Sequence, residues 1–269
     1  MASVTQRIKT IKQPKDGYIN PKAFKSIQLK TNDELFSNEN ISPTTIGIVV
    51  DYLTRFCLNK NKLEAFKISL LGAKIAETEF QVRGSINKAN ELLKHITGNN
   101  DKSIINACDL VGYDVYYRNA TWVLTSSYSE YKERKIPDKQ TINNIKILIN
   151  RSLKFFEEFG PITTDGFTFE SSDNKLGGYT ETIDTGDGDF LTKDTLWDFK
   201  VSKNKLNKNQ TLQLAIYYIM GKHSKKEIFN NITKVGIFNP RLNIIYLLDM
   251  NNVSKTIINA IEKNVICYK

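Results

Sequence analysis

The stretch GDGDFLTKDTLWDFK, residues 186–200, gathers the side chains of this sequence best suited to chemistry. Asp187 and Asp189 flank a glycine, Asp198 follows a tryptophan, and Lys200 stands two places later. On a strand, residues two apart share a face. Asp198 and Lys200 then point one way with Leu196, while Trp197, Phe199 and Val201 point the other. Asp189 precedes Asp198 by nine residues with the turn TKDT between them, so a hairpin brings the two carboxylates together. Two close carboxylates repel unless a cation or a proton holds them. Hard oxygen donors suit Mg²⁺ or Mn²⁺, and such an ion polarises a phosphodiester and lowers the pKa of a bound water. A lysine beside it orients that water or stabilises charge on the phosphate. The set points to metal-assisted phosphodiester hydrolysis. Asp187 and Asp194 read as turn residues.

Two other readings of the acids compete with this one. A calcium loop starting at Asp184 would need ligands at its first, third, fifth and twelfth positions. Those places hold Asp184, Gly186, Gly188 and Thr195, and the match fails. A turn with an ion pair is the purely structural alternative.

The acids stand out against the rest of the chain. The 269 residues carry a formal net charge of +9, which favours a polyanionic partner, nucleic acid before membrane. Yet eleven acids fall between Glu157 and Asp198, opposed only by Lys175 and Lys193. Residues 1–30 show the reverse, seven basic residues and one acid, Asp16. The three cysteines, Cys57, Cys108 and Cys267, form no CxxC pair. A zinc site or a cysteine-held iron–sulfur cluster is therefore not expected, and the sparse odd count fits a reducing, cytoplasmic setting. No apolar run approaches a membrane span, so no membrane partner is expected.

The elements that must position these residues follow from periodicity. Residues 1–33 read as a basic strand or extended arm, partly disordered. Ser42 and Pro43 open a helix whose apolar residues Ile46, Val49, Val50, Leu53 and Phe56 repeat at helical spacing. Further helices are predicted over 61–71, over 74–97 with a break near Gly84, and over 101–118, followed by a loop over 119–140. KQTINNIKILINRSLKFFEEFG is an amphipathic helix closed by Gly160–Pro161. Strands are then predicted over 166–170, 178–184, DFLTK and TLWDFKVS. A helix over 207–221 sets Gln213 and Tyr217 four apart on one face. Two strands, ITKVGIFNP and NIIYLLDM, and a helix over 253–263 end the chain. The expected organisation is a mostly helical part, 1–140, with a basic arm at 1–33, and an α/β (α+β) core over 141–269.

The order Gly186-x-x-Asp189, then Asp198-Phe199-Lys200, then Gln213-x-x-x-Tyr217, resembles the PD-(D/E)XK nuclease superfamily. The nearest branch is the RecB-like one, which includes CRISPR-associated adaptation exonucleases and phage lambda-type exonucleases. The resemblance covers roughly residues 142–250 and implies a restriction-endonuclease-like core, a mixed central sheet flanked by helices. It implies that Asp189 and Asp198 hold Mg²⁺ or Mn²⁺ with the backbone carbonyl of Phe199. Lys200 would serve the attacking water, and Gln213 and Tyr217 would support the site or contact the DNA backbone. It also implies an acid on the helix before the sheet, for which Glu157 is the choice, with Glu170 and Glu181 as rivals. The cysteines of the cluster-bearing branches are absent, so no iron–sulfur cluster is implied, and no histidine precedes Asp189 at motif distance.

The expected activity is a Mg²⁺- or Mn²⁺-dependent deoxyribonuclease. The alternatives are a nucleic-acid-binding or assembly subunit that retains the fold, and an RNase. Lys203, Lys205 and Lys208 follow the catalytic strand and are candidate phosphate contacts. The helical part is a candidate surface for protein partners. Lys222, Lys225 and Lys226 near His223 read as a helix-end basic patch, Arg241 as a turn residue, and His95 as a helix-end cation. Cys57 and Cys108 read as core. SSYSEYKERK, 126–135, mixes aromatics with charge and could stack bases, but reads as an exposed loop in preference to that.

Overall fold

The structure is a computed structural model that describes residues 2–125, 135–169 and 178–268. The predicted loop 126–135, all but its last residue, and Glu170 lie outside them. The chain forms two compact units: residues 1–30 with 155–269, and residues 31–154. The boundaries therefore differ from the expected division at residue 140.

The first unit is built on a six-stranded mixed sheet: β1 (Lys25–Gln28), β2 (Thr164–Thr168), β3 (Asp187–Leu191), β4 (Thr195–Phe199), β5 (Lys234–Asn239) and β6 (Ile244–Asp249). Their order is β1-β6-β5-β4-β3-β2. The pair β4–β5 is parallel and every other pair is antiparallel. A parallel pair needs a crossover element, and α10 (Lys208–Ser224) supplies it between β4 and β5.

Strand alternation divides the apolar residues between two faces. Phe190, Trp197, Phe238 and Ile245 line one face, where Phe155, Phe156 and Phe159 of α9 (Lys139–Phe159) pack on them. Burying each such aromatic contributes about 1.5–3 kcal/mol. The Trp197 ring lies over Gly236, its cross-strand partner, where any Cβ would collide with it. Leu191, Leu196, Val235, Ile237, Tyr246 and Leu248 line the other face with Leu212, Ala215, Ile216 and Ile219 of α10. α10 is buried around most of its circumference, as expected of a helix apolar on several faces.

The N-terminal arm is ordered and belongs to this unit. Ser3 and Gln6 form a capping box that starts α1 (Val4–Thr10), and Val4 and Ile8, four apart, both enter the core. β1 is the edge strand beside β6. The predicted strand over 178–184 is irregular instead. The hydroxyls of Thr180 and Thr182 donate to the Ile266 carbonyl at 2.6 and 2.8 Å, and Thr180 N–H turns back to the Ile183 carbonyl. α11 (Lys255–Ile261) closes the unit.

The second unit is helical: α2 (Pro43–Asn59), α3 (Lys62–Ala65), α4 (Lys67–Thr78), α5 (Ser85–Lys94), α6 (Asp101–Leu110), α7 (Asp114–Arg118), α8 (Ala120–Thr125) and the first part of α9. Ser42 caps α2 by accepting from Thr45 N–H at 3.1 Å. The predicted helix 101–118 is broken by a short 3₁₀ turn, Val111–Tyr113. There the Tyr113 carbonyl approaches Gly72 so closely that no Cβ would fit. α8 stands in the predicted loop. At the core of the unit, Asp114 accepts from Tyr52 Oη at 2.7 Å, Ser69 Oγ at 2.5 Å and Arg118 Nε at 3.3 Å. Among the described residues, no helix is long and apolar enough to cross a membrane.

Candidate active site

The β3–β4 hairpin sets the site. Phe190 pairs with Trp197 and Leu191 with Leu196, and the next step of that register puts Asp189 opposite Asp198. The hairpin turn is pinned on both sides. Thr192 N–H donates to the Thr195 carbonyl, and the Trp197 indole donates to Thr192 Oγ1 at 3.0 Å. Asp194 sits in this turn, held by Lys234 Nζ and Thr195 Oγ1, both at 2.7 Å. As expected, it is a turn residue. These partners hold its carboxyl below the usual carboxylate range against the opposing effect of burial, which comes first in size.

Asp189 reaches across the hairpin. Its Oδ2 accepts the backbone N–H of Phe199 at 2.6 Å. This charge-assisted bond fixes the carboxylate against the end of β4. Asp198, only 3% exposed, meets the Lys200 ammonium, which lies 2.9 Å from both Oδ1 and Oδ2. The period of two produces this pair, since both side chains leave the strand on one face. Lys200 N–H donates to the Phe238 carbonyl at 3.0 Å, which keeps the strand end on β5. A buried carboxylate is costly without an opposing charge, and the lysine supplies it from the site's solvent side, its side chain 31% exposed.

α10 contributes the third element. Asn207 caps it with Gln210 in a reciprocal capping box. One turn in, Gln213 Nε2 donates to Tyr217 Oη at 3.1 Å, and both residues are buried. Burial pushes the Tyr217 phenol well above its ordinary range, and the negative charges of Asp198, Asp189 and Asp187 push the same way, while the Gln213 bond opposes them. Tyr217 therefore stands within the field of all three acids. Asp187, read from the sequence as a turn residue, is the exposed first residue of β3. The same period of two that joins Asp198 to Lys200 would have grouped it with Asp189.

Glu157 is not part of this assembly. The phenylalanines of α9 that flank it, Phe155, Phe156 and Phe159, pack on the sheet face opposite Asp198. Two residues past the buried Phe155, it is turned about 200° around the helix and is exposed. The apolar stripe at the end of α9 follows Phe155, not the Leu153–Phe156 line that points to Glu157. Glu158 is also exposed, and Glu181 lies exposed in the irregular segment before β3.

Among the described residues, no group of three His, Cys, Asp or Glu side chains is arranged to hold an ion. Mg²⁺, however, keeps several waters and is commonly held by one or two carboxylates plus phosphate oxygens. Asp189 and Asp198, opposite one another when the hairpin register is extended by one step, are two hard carboxylates of the kind that could hold hydrated Mg²⁺ or Mn²⁺.

The three basic candidates divide. Lys203 and Lys205 are exposed in the loop leaving Lys200. Lys208 is half-buried and turned toward the arm, its Nζ donating to the carbonyls of Pro14 and Lys15, both at 3.4 Å. Sequence reading missed that the arm reaches α10. His223 stacks on Tyr268 and contacts Glu262 at 2.9 Å at the far end of α10, away from the acids. Comparison with protein-family models, curated proteins and solved structures finds no match to the chain.

Proposed function

We propose that this protein is a metal-dependent nuclease that hydrolyses phosphodiester bonds in DNA, with a restriction-endonuclease-like core. The observation that carries the reading is the placing of Asp189, Asp198 and Lys200 on one sheet face, the face on which the crossover helix with Gln213 and Tyr217 packs. A mixed sheet with Phe155, Phe156 and Phe159 packed on one face and α10 on the other also supports it.

Asp189 and Asp198 would hold Mg²⁺ or Mn²⁺, with the Phe199 carbonyl beside them. A bound divalent ion supplies Lewis-acid polarisation and an acidified water. The bond to Phe199 N–H holds the Asp189 carboxylate at the end of β4, so little ordering of it would remain to be done on substrate entry. Lys200 can exchange its contact with Asp198 for one with the attacking water or a non-bridging phosphate oxygen, where its charge opposes the charge that builds on phosphorus. Tyr217, kept protonated by burial and by the acids, can only donate toward an anionic oxygen. Water attack forms a P–O bond and breaks one to the leaving deoxyribose oxygen, leaving a phosphate monoester end.

A second reading, a DNA-binding or assembly subunit that retains this fold, is favoured by the position of Glu157, which leaves two carboxylates where three were expected. Linear, nicked and single-stranded DNA, and RNA, incubated with wild type, Asp198→Asn and Lys200→Ala in Mg²⁺ or Mn²⁺ separate the readings. Cleavage of DNA by wild type, lost in both variants, supports the nuclease. No cleavage of any substrate by wild type, with no Mn²⁺ uptake in calorimetry, would sink it. Cleavage confined to RNA would make it an RNase.

A further inference from the structure

The surplus of positive charge is unevenly placed. Residues 1–30, with seven basic residues and one acid, account for six of the nine net charges. The six lysines of this arm are exposed, while Arg7 is turned inward to the Val265 carbonyl at 2.9 Å. The arm's apolar side chains, Val4, Ile8, Ile11, Tyr18 and Ile19, pack into the core. The arm thus shows water a charged face without an apolar one. Membrane-surface helices need both, so a soluble polyanion fits better.

Part of the arm is fastened beside the candidate site. Gln13 Nε2 donates to Asn209 Oδ1 at 2.7 Å, and Thr211 Oγ1 donates to the Ile19 carbonyl at 2.7 Å. Lys208 Nζ reaches the carbonyls of Pro14 and Lys15. Gly17, at φ +83°, crosses so near that a Cβ there would meet Lys208 Cβ at 2.8 Å. Residues 13–19 therefore cross the first turn of α10. Gln213 lies five residues further on, about 7.5 Å of helix rise. The loop from Lys200 carries exposed Lys203 and Lys205 to the same turn.

We propose that Lys12 and Lys15 of the arm, with Lys203 and Lys205, form a track for the phosphate backbone of a DNA strand leading to Asp189, Asp198 and Lys200. The proposal rests on the nuclease reading for what lies at the end of the track, but it concerns binding and is tested without cleavage. In this geometry Lys208 is the strut that holds the arm in place, and the arm supplies the outward charges.

The test is fluorescence anisotropy with a labelled single-stranded DNA oligonucleotide in EDTA, over a series of salt concentrations. It compares wild type, K12Q/K15Q, and K255Q/K263Q, which removes the same charge from the region of α11. The arm pair is expected to weaken binding about tenfold and to lower the salt slope by about 1.4, roughly 0.7 for each phosphate that no longer meets a lysine. The α11 pair should leave the slope unchanged. Equal losses in both pairs, an unchanged slope in the arm pair, or no DNA binding by wild type would overturn the track. Tighter binding of an RNA of the same sequence would overturn its assignment to DNA. A selective loss in the arm pair, with wild type that cleaves nothing in Mg²⁺, would support the track while removing the nuclease reading.

Discussion

Lys200 Nζ stands 2.9 Å from each carboxylate oxygen of Asp198, two residues earlier in the chain. On the proposed function, a divalent ion held by Asp198 would compete with this lysine for the carboxylate. Lys200→Ala is expected to destabilise the metal-free protein by about 1–3 kcal/mol, because a buried carboxylate loses its counter-charge. Mn²⁺ should bind this variant more tightly than wild type and raise its Tm further. Titration calorimetry and thermal melts with and without Mn²⁺ check this. Equal Mn²⁺ affinity in the two proteins would mean that the ion does not share Asp198 with the lysine.

Asp198→Asn keeps the shape of the side chain and removes its charge. DNA cleavage is expected to fall by about 10²–10³-fold, the range seen when one electrostatic stabiliser is removed. Asp189→Asn should cost a similar factor and also weaken the bond to Phe199 N–H. Single-turnover cleavage with Mn²⁺ measures both, and circular dichroism confirms that the fold is kept.

Tyr217 gives a pH dependence whose sign can be worked out. Its folded pKa lies above the ordinary 10.0, through burial first and the acids second. The neutral phenol is thus favoured in the folded state. Its contribution is complete below pH 10 and is lost as pH rises through the raised value, because the unfolded chain sheds the proton first. Wild type should lose stability above pH 10 more steeply than Tyr217→Phe. Denaturant melts from pH 8 to 11 test this, and parallel curves would count against it.

Gly188 lies directly beneath the Phe167 ring, its partner across β2 and β3. The ring is enclosed by Phe169, Tyr217 and Phe229 and has nowhere to swing. Gly188→Ala is expected to cost about 1–3 kcal/mol by overpacking. Cleavage should also drop, since Asp189 is the next residue. Urea melts measure the first effect, and an unchanged midpoint would contradict it.

In the helical unit, Asp114→Ala strands the Ser69 hydroxyl in a buried setting and leaves Tyr52 Oη only its bond from Arg118 Nη2 at 3.0 Å. A loss of about 1–3 kcal/mol for each unsatisfied group is expected. The Tyr52→Phe, Ser69→Ala double variant should be milder than Asp114→Ala, because it removes donors and leaves Arg118 on the carboxylate. The reverse order in melts would place the energy elsewhere.

Asp198 and Lys200 were legible in the sequence because strand parity is a local rule, and the Gln213–Tyr217 pair because residues four apart share a helix face even where the helix is apolar on several sides. Glu157 was not. The last turn of α9 is aromatic on more than one side, so the stripe alone did not reveal which side meets the sheet. The arm escaped for another reason. Seven residues of α1 are too few to show periodicity, and β1 is a strand chiefly because β6 offers it an edge. Residues 178–184 alternate like a strand, yet their threonine hydroxyls found the Ile266 carbonyl instead of a neighbouring strand.

The sheet unit is assembled from both sides of an interruption: residues 1–30 and 155–269, with the helical unit between them in the chain. During synthesis the arm leaves the ribosome long before its partners in residues 155–269. Val4 N–H waits for Thr185, Arg7 for Val265, and β1 for β6. The helical unit is one continuous segment, made in full while the arm is still unmatched. Loop-closure entropy then makes docking of the arm a late, long-range step. Until those partners are made, the six arm lysines belong to a tethered, cationic segment that has not yet found its place in the sheet unit.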